Sequence, residues 1–317
     1  MKKPDWKKTA SLVLLLLLLF LLAAYIYQNR ADMQKLLMLS PKTITLLLAL
    51  GLGSALVNCV YHLVILQTYA LPLSLTDWVG VVSVSNVLAL VLPLRADLVF
   101  SAAYYKRVKG LAYTKSVSMA AGNIVFGVAF SLLQILVSLL CVGLLKRQWP
   151  VTLWVLLCLG TTALGAFIAL TLWAPGRNTR LFQKFRLLQE VAEGFTALLR
   201  NRTMLWKVLG CLICNNLFQL FLYQVCFQAI GLPVALYEAL FYNSVSWLSS
   251  IVAIVPGNIG IKEGVMGVAT LLMGALMQNG VAVSLLQRMT LTVVQLCLGT
   301  IFAIPVYRRF RQGHEGT

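Results

Sequence analysis

Long runs of apolar residues dominate this chain and restrict what it can fold into. A helix rises 1.5 Å per residue, so about 20 apolar residues cross the hydrocarbon core of a bilayer. Only 11% of the 317 residues are charged, too few to cover a soluble domain of this size. We therefore expect an all-α polytopic membrane protein, with a single transmembrane domain over residues 1–317. The apolar blocks are 11–27, 43–69, 77–92, 96–105, 114–145, 151–174, 204–230, 236–255, 261–279 and 281–304.

The first apolar block, 11–27, has the basic flank of a signal peptide but lacks its small-residue cleavage site. It ends instead in Tyr25-Ile26-Tyr27-Gln28-Asn29-Arg30, aromatic and basic residues that suit an interface anchor. We therefore expect a retained first helix. The net charge of +17 comes from residues in loops between apolar runs, so anionic lipid headgroups are favoured as partners over nucleic acid.

The positions of Lys and Arg predict how the blocks cross the membrane. If every block before the basic loop 106–115 spanned, that loop would lie outside, against the tendency of basic loops to remain cytoplasmic. The conflict disappears if 77–92 and 96–105 form a re-entrant hairpin that turns near Pro93. By the same logic, 236–255 and 261–279 form a second hairpin that turns at Pro256. About six helices then span and both termini are cytoplasmic; the alternative is eight or more spanning helices.

This topology contains an internal repeat. Each half, about 1–148 and 149–317, has two spanning helices, a proline-broken hairpin and one more spanning helix. Leu75-Thr76-Asp77 opens the first hairpin and Leu236-Tyr237-Glu238 opens the second. Because one half starts inside and the other outside, the repeat is inverted. Inverted repeats with broken helices are a recurrent plan of membrane transporters, with the substrate site at the repeat interface.

Residues 177–202 are polar, with apolar residues recurring every three or four positions. That spacing predicts an amphipathic helix on the cytoplasmic membrane surface. Its polar side is rich in arginine, which offers a docking face for a glycosyltransferase or another envelope-synthesis enzyme. A non-transporting partner of such an enzyme is therefore the alternative to a transporter.

Ionisable residues at membrane depth are costly and mark candidate functional positions. We expect Lys262 and Arg95, with free amide groups where a helix restarts, to bind a phosphate-bearing headgroup. Glu263 is expected to neutralise a cation or to fix Arg95 or Arg288 in place. A compatible alternative is that Arg95–Asp97 and Lys262–Glu263 are structural ion pairs that hold the hairpins. The candidate substrate-binding residues are Arg95, Asp97, Pro256, Gly257, Asn258, Gly260, Lys262, Glu263 and Arg288.

Further polar residues lie in the second half, on the block 204–230 and in the hairpin. We favour hydrogen bonds between helices over a cavity lining for Asn215, Asn216, Gln219 and Asn243. The sequence carries no Ser-His-Asp set, metal-ligand cluster or nucleotide-binding motif. We therefore expect no cofactor, no metal and no catalysis. A homo-oligomer is compatible with the pattern.

Two motifs give the chain a family resemblance. Leu92-Pro93-Leu94-Arg95 leads to Tyr104-Tyr105-Lys106-Arg107 in the first half. The second half contains Pro256-Gly257-Asn258-Ile259-Gly260-Ile261-Lys262-Glu263-Gly264. In length and motif order the chain resembles the lysylphosphatidylglycerol synthase transmembrane-region family, which includes the flippase portion of the multiple peptide resistance factor. Asp97 only roughly replaces the early acidic position of that family, and Ser101 stands where an arginine is usual.

The resemblance implies a protein of the bacterial inner membrane that translocates lipids or polyprenyl-linked substrates between leaflets. It also implies binding by the charged and glycine-rich residues of the two motifs. The soluble aminoacyl-transferase domain of the multiple peptide resistance factor has no counterpart in this sequence, so lipid aminoacylation is not expected from this chain.

Overall fold

The computed structural model describes residues 39–67, 71–92, 95–173, 202–252 and 255–312. Every regular element in these ranges is a helix, which confirms the predicted all-α class. The predicted first helix 11–27, residues 177–201 of the amphipathic segment and the turn at Pro93 lie outside the described residues. The helices are α1 (Pro41–Gln67), α2 (Thr76–Val91), α3 (Ala96–Lys109), α4 (Tyr113–Lys146), α5 (Val151–Trp173), α6 (Arg202–Ala229), α7 (Leu236–Ser249), α8 (Ile261–Leu272) and α9 (Met277–Gln312).

Within the described ranges, five helices are long and apolar enough to cross a membrane. They contain the stretches Pro41–Gln67, Gly122–Lys146, Val151–Ala169, Arg202–Ala229 and Met277–Gln312. Each corresponds to an apolar block of the sequence. The chain is therefore a polytopic helical membrane protein, as predicted.

The helices α2 and α3 form an antiparallel pair, which we call the first hairpin. Near the end of α3, Tyr104 and Tyr105 donate hydrogen bonds of 2.9 and 2.8 Å to the carboxylate and the backbone carbonyl of Asp77, at the start of α2. The base of the first hairpin is thus closed around Asp77. At its tip, Leu92 is extended and Arg95 is left-handed with φ 58°, so the chain reverses before α3 begins.

The helices α7 and α8 form the second hairpin, which is shorter than the sequence predicted. The helix α7 ends at Ser249 rather than 255, and α8 ends at Leu272 rather than 279. The prediction was wrong because apolar residues continue through both breaks, so hydropathy does not register them. The chain leaves α8 through Gly274, whose φ of 85° suits glycine. At 1.5 Å per residue, neither arm reaches across the roughly 30 Å of a hydrocarbon core.

The long helices α4 and α9 each pack on the hairpin of the other sequence half. The helix α4 lies against α7 of the second hairpin, and α9 lies against α2 of the first. Small residues permit these close approaches: a Cβ on Gly127 of α4 would collide with the ring of Trp247. A Cβ on Gly299 of α9 would meet Val87 at 2.5 Å. The helix α4 therefore supports the hairpin of the second half, and α9 supports both hairpins, because it also packs on α8.

Large apolar side chains fill the space between the second hairpin and the spanning helices. Tyr223 and Phe227 of α6, Phe241 of α7 and Met266 of α8 are completely or almost completely buried in one cluster. In a membrane, such side chains stabilise the bundle through close van der Waals packing, because lipid tails are as apolar as they are. The apolar packing therefore anchors α8 and positions the residues at its first turn.

Candidate functional site

A polar cavity of about 480 Å³ lies where the tips of the two hairpins meet α1, α4, α6 and α9. Every described helix except α5 contributes at least one residue to its wall. The cavity thus sits at the junction of the two sequence halves. Of the nine predicted site residues, it brings together Arg95, Asp97, Gly257, Asn258 and Lys262.

Side-chain amides make up an unusual share of the wall. Seven of the eleven asparagines in the chain line this cavity. Amides that face hydrocarbon without a partner are costly, so such a wall is stable only where the amides pair with one another, with water or with a polar ligand. The lining amides are Asn58, Asn86, Asn123, Asn215, Asn216, Gln219, Asn243, Asn258, Gln287 and Gln295.

Arg95 and Asp97 lie together at the tip of the first hairpin. The Arg95 Nε and the Asp97 Oδ1 atoms are 3.6 Å apart, too long for a hydrogen bond. The side chains are 35% and 23% exposed. The predicted ion pair is therefore present in a loose form, and both groups face the cavity.

The predicted Lys262–Glu263 ion pair is wrong. The Lys262 ammonium donates a 2.6 Å hydrogen bond to the side-chain oxygen of Gln287, whereas Glu263 pairs with Arg288. Neighbouring residues of an α-helix point about 100° apart, so Lys262 and Glu263 face different sides of α8. Lys262 faces the cavity and Glu263 faces α9.

Glu263 and Arg288 form a buried clasp behind the cavity wall. The Arg288 Nε donates to Glu263 Oε1 at 2.7 Å, and its Nη atoms donate to the carbonyls of Gly257 and Asn258. The other carboxylate oxygen of Glu263 accepts the backbone N–H of Gly260 at 2.7 Å. The clasp therefore fixes the tip of the second hairpin instead of contacting the cavity.

The backbone of that tip explains its composition. Gly257, Asn258 and Gly260 have φ values of 59°, 55° and 83°, a region that glycine and asparagine adopt most readily. Pro256 begins the short 3₁₀ turn Pro256–Asn258. The side-chain nitrogen of Asn258 donates to the carbonyl of Ser249 at 2.8 Å, across the hairpin. These four predicted residues therefore shape the turn, and Gly257 and Asn258 also reach the cavity.

A relay of hydrogen bonds runs from Lys262 through the cavity wall. Gln287, which accepts from Lys262, donates to Gln219 at 3.2 Å. Gln219 donates to Ser54 at 2.7 Å, and Ser54 donates to Asn215 at 2.7 Å. Gln219 and Asn215 of α6 therefore do both things that the sequence suggested as alternatives: they form hydrogen bonds between helices and they line the cavity.

The electrostatics of the cavity favour an anion. Asp97 is the one acidic residue among the described lining residues, and it faces Arg95. In the part of the chain that the structure describes, no carboxylate forms an ion pair with Lys262. The helices α3 and α8 also begin at the two tips, where a helix carries the positive end of its dipole. The wall thus has an excess of positive charge.

Several lining residues were missed by reasoning from the sequence. Asn86, Asn123, Gln287 and Gln295 come from four separate places on α2, α4 and α9. One signal could have found them: amides recur inside apolar blocks, where each has to face another polar group. Only the folded arrangement shows that they face the same cavity.

Comparison with known proteins gives one match. The family model described as lysylphosphatidylglycerol synthase TM region matches residues 9–299. No curated protein and no solved structure matches the chain.

Proposed function

The chain belongs to the lysylphosphatidylglycerol synthase transmembrane-region family, and from this premise we propose a flippase-like function. In this proposal the protein binds the phosphate-bearing headgroup of a phospholipid or polyprenyl-linked lipid in the central cavity. It then moves the headgroup between leaflets without changing it chemically. We place the protein in the inner membrane with both termini cytoplasmic, because that orientation keeps the basic loops inside.

Lys262 carries this proposal. An ammonium group has three N–H donors, and the described residues accept one of them, through Gln287. A phosphate oxygen is the natural acceptor for the remaining donors. The N-terminus of α8 and the neighbouring tip of the first hairpin add positive potential at the same place. A headgroup phosphate next to Lys262 would therefore be stabilised.

The arrangement of the hairpin bases supports re-entrant hairpins in an inverted repeat. Lys146, at the end of α4, donates to Glu238 at the base of the second hairpin at 2.7 Å. Arg309, near the end of α9, lies 3.2 Å from Asp77 at the base of the first hairpin. The last helix of each half thus fastens the hairpin of the other half by the same kind of ion pair. Two hairpins related in this way, with tips meeting in a cavity, suit alternating access from the two leaflets.

Translocation in proteoliposomes tests this proposal. Acyl-chain-labelled phosphatidylglycerol in phosphatidylcholine vesicles is the probe, and dithionite quenching reports the label in the outer leaflet. We expect the full chain to accelerate exchange between leaflets and Lys262→Met to slow it about tenfold or more, the value of one charge-assisted hydrogen bond. Lys207→Met is the matched control, because Lys207 is exposed on α6 and outside the cavity.

Equal rates for the Lys262→Met variant and the unchanged protein would contradict headgroup binding at Lys262. Exchange no faster than in empty vesicles would contradict translocation. The alternative, a partner of an envelope-synthesis enzyme, depends on the segment 177–202 and stays a prediction. Co-purification of an enzyme that is lost on substituting the arginines of that segment would favour it.

A further inference from the structure

The chemistry of the cavity wall selects among headgroups. A bare phosphate offers only hydrogen-bond acceptors. It therefore pairs with the N–H groups of the wall and leaves the oxygens of the side-chain amides unpaired. An ammonium headgroup needs carboxylates, and the one described in the wall is Asp97 beside Arg95. A hydroxyl group donates and accepts at once, as a side-chain amide does. A wall with ten amides is therefore complementary to several hydroxyl groups.

We propose that the cavity binds a polyhydroxylated headgroup that carries one phosphate, such as a polyol phosphate or sugar phosphate. This inference rests on the proposed function, since it specifies the headgroup that Lys262 would hold by its phosphate. The hydroxyl groups would contact the amides that lack partners, and the phosphate would contact Lys262. The phosphate and the polyol are thus recognised by different residues.

Three amides are available for this role. Asn58, Asn86 and Gln295 line the cavity on α1, α2 and α9, and their side chains bond to no other group in the described ranges. They differ in this from Gln219 and Gln287, whose amides are engaged in the relay. Free amides in a membrane protein are expected where a ligand or water completes their hydrogen bonds.

Asn258 gives a second, independent observation at the tip of the second hairpin. It lines the cavity, it is 8% exposed, and its side-chain oxygen is buried without a hydrogen-bond donor. Its side-chain nitrogen is held by the carbonyl of Ser249, which fixes the amide in place. A buried acceptor of this kind costs free energy until a donor reaches it. A ligand hydroxyl supplies a donor, whereas the oxygens of a phosphate dianion do not.

The test compares headgroups on the purified full chain in detergent. Short-chain dihexanoyl lipids are titrated by calorimetry: phosphatidic acid, phosphatidylinositol and phosphatidylethanolamine. Free inositol 1-phosphate separates a lipid from a soluble source of the same headgroup. We expect phosphatidylinositol to bind at least about tenfold more tightly than phosphatidic acid, the effect of one or two well-placed hydrogen bonds. We expect free inositol 1-phosphate to bind more weakly than the lipid.

Two variants assign the preference to the amides. Asn86→Leu and Gln295→Leu, made separately, are expected to remove most of the preference for inositol and to keep the affinity for phosphatidic acid. Retained binding of phosphatidic acid also shows that each variant is folded. Asn279→Leu is the matched control, because Asn279 lies near the start of α9 and outside the cavity.

The outcomes separate the two proposals. Equal affinity for phosphatidylinositol and phosphatidic acid, both lost in Lys262→Met, overturns the polyol inference and supports the phosphate site. Tighter binding of phosphatidylethanolamine also overturns the inference. No binding by any probe overturns the proposed function together with the inference. Equal affinity for free inositol 1-phosphate supports the polyol headgroup and overturns a lipid as its source.

Discussion

The two hairpins are fastened at opposite ends. In the first, the base is tight: the fully buried carboxylate of Asp77 accepts from Tyr104, Lys109 and Arg309 and from the backbone and hydroxyl of Ser74. Among the described residues at its tip, Arg95 and Asp97 form a loose pair, 3.6 Å apart. The first hairpin is therefore held tightly at Asp77 and loosely at Arg95 and Asp97.

The second hairpin shows the reverse. At its tip, the Glu263–Arg288 clasp ties together the turn, the start of α8 and the middle of α9. At its base, Glu238 accepts, among the described residues, from the backbone of Ala235 and from Lys146, whose side chain is 44% exposed. The tip is the rigid part here and the base is the loose one.

This difference indicates where the molecule can change shape at lowest cost. The tips meet in the cavity, so one wall is fixed by a buried ion pair and the facing wall is not. In the proposed function, a headgroup held by Lys262 would contact the fixed wall and face the less constrained pair of Arg95 and Asp97. At the base of the second hairpin, Glu238 is likewise held by a partner that is half-exposed.

The largest loss of stability is expected from a substitution at the base of the first hairpin. Asp77→Asn removes the charge shared by Lys109 and Arg309, and we expect it to lower the free energy of unfolding by about 3 kcal/mol. Glu238→Gln is the matched substitution at the other base, where the partner is half-exposed and the expected loss is about 1 kcal/mol. Unfolding by SDS in mixed micelles measures both. Equal losses of unfolding free energy in the two variants would contradict the conclusion that the base of the first hairpin is held more tightly than the base of the second.

An intermediate effect is expected at the tip of the second hairpin. Glu263→Gln keeps an oxygen for the N–H of Gly260 but leaves Arg288 without its counter-charge. We expect a loss of about 2 kcal/mol in the same unfolding measurement. Faster hydrogen exchange at the amide of Gly260 should accompany it. Hydrogen exchange at Gly260 as slow as in the unchanged protein would show that the hydrogen bonds from Arg288 to the carbonyls of the turn hold the tip without the charge of Glu263.

The smallest effect on stability is expected at the tip of the first hairpin. Asp97→Asn breaks a long, partly exposed ion pair, and we expect a change below about 1 kcal/mol. The substitution also frees the charge of Arg95 toward the cavity, so dihexanoyl phosphatidic acid should bind a few-fold more tightly. A loss as large as that of Glu263→Gln would mean that both tips are equally fixed.

Much of this fold follows from the hydropathy of the sequence. Each helix described here corresponds to an apolar block, and the first hairpin ends within four residues of its predicted bounds. The second hairpin and α9 were predicted less well. Leu271, Leu272, Met273, Ala275 and Leu276 are all apolar around a real break, so composition gives no sign of it. The left-handed Gly274 marks the break, but glycine is common in membrane helices.

The sequence identified the charged residues at membrane depth and several of the lining amides, but it missed Asn86, Asn123, Gln287 and Gln295. Lys262 and Glu263 are adjacent in sequence, which suggests an ion pair. Because neighbouring residues of a helix point about 100° apart, Lys262 faces the cavity and Glu263 faces α9. Arg288 could be identified as a charge at membrane depth, while its position behind the cavity depends on how α9 packs on α8. Asn86 and Gln295, whose amides bond to no other described group, lie more than 200 residues apart, and no local pattern connects them.

The contact of α9 with the base of the first hairpin has a consequence for biosynthesis. Arg309 lies 232 residues after Asp77, so the ribosome delivers it long after the first hairpin. The first hairpin therefore leaves the translocon with its buried acid only partly neutralised, by Lys109 on the neighbouring arm. Insertion of α9 completes that base and the Glu263–Arg288 clasp in one event. Completion of the first hairpin is thus coupled to the arrival of α9, because the buried charge of Asp77 stays partly unbalanced until Arg309 reaches it.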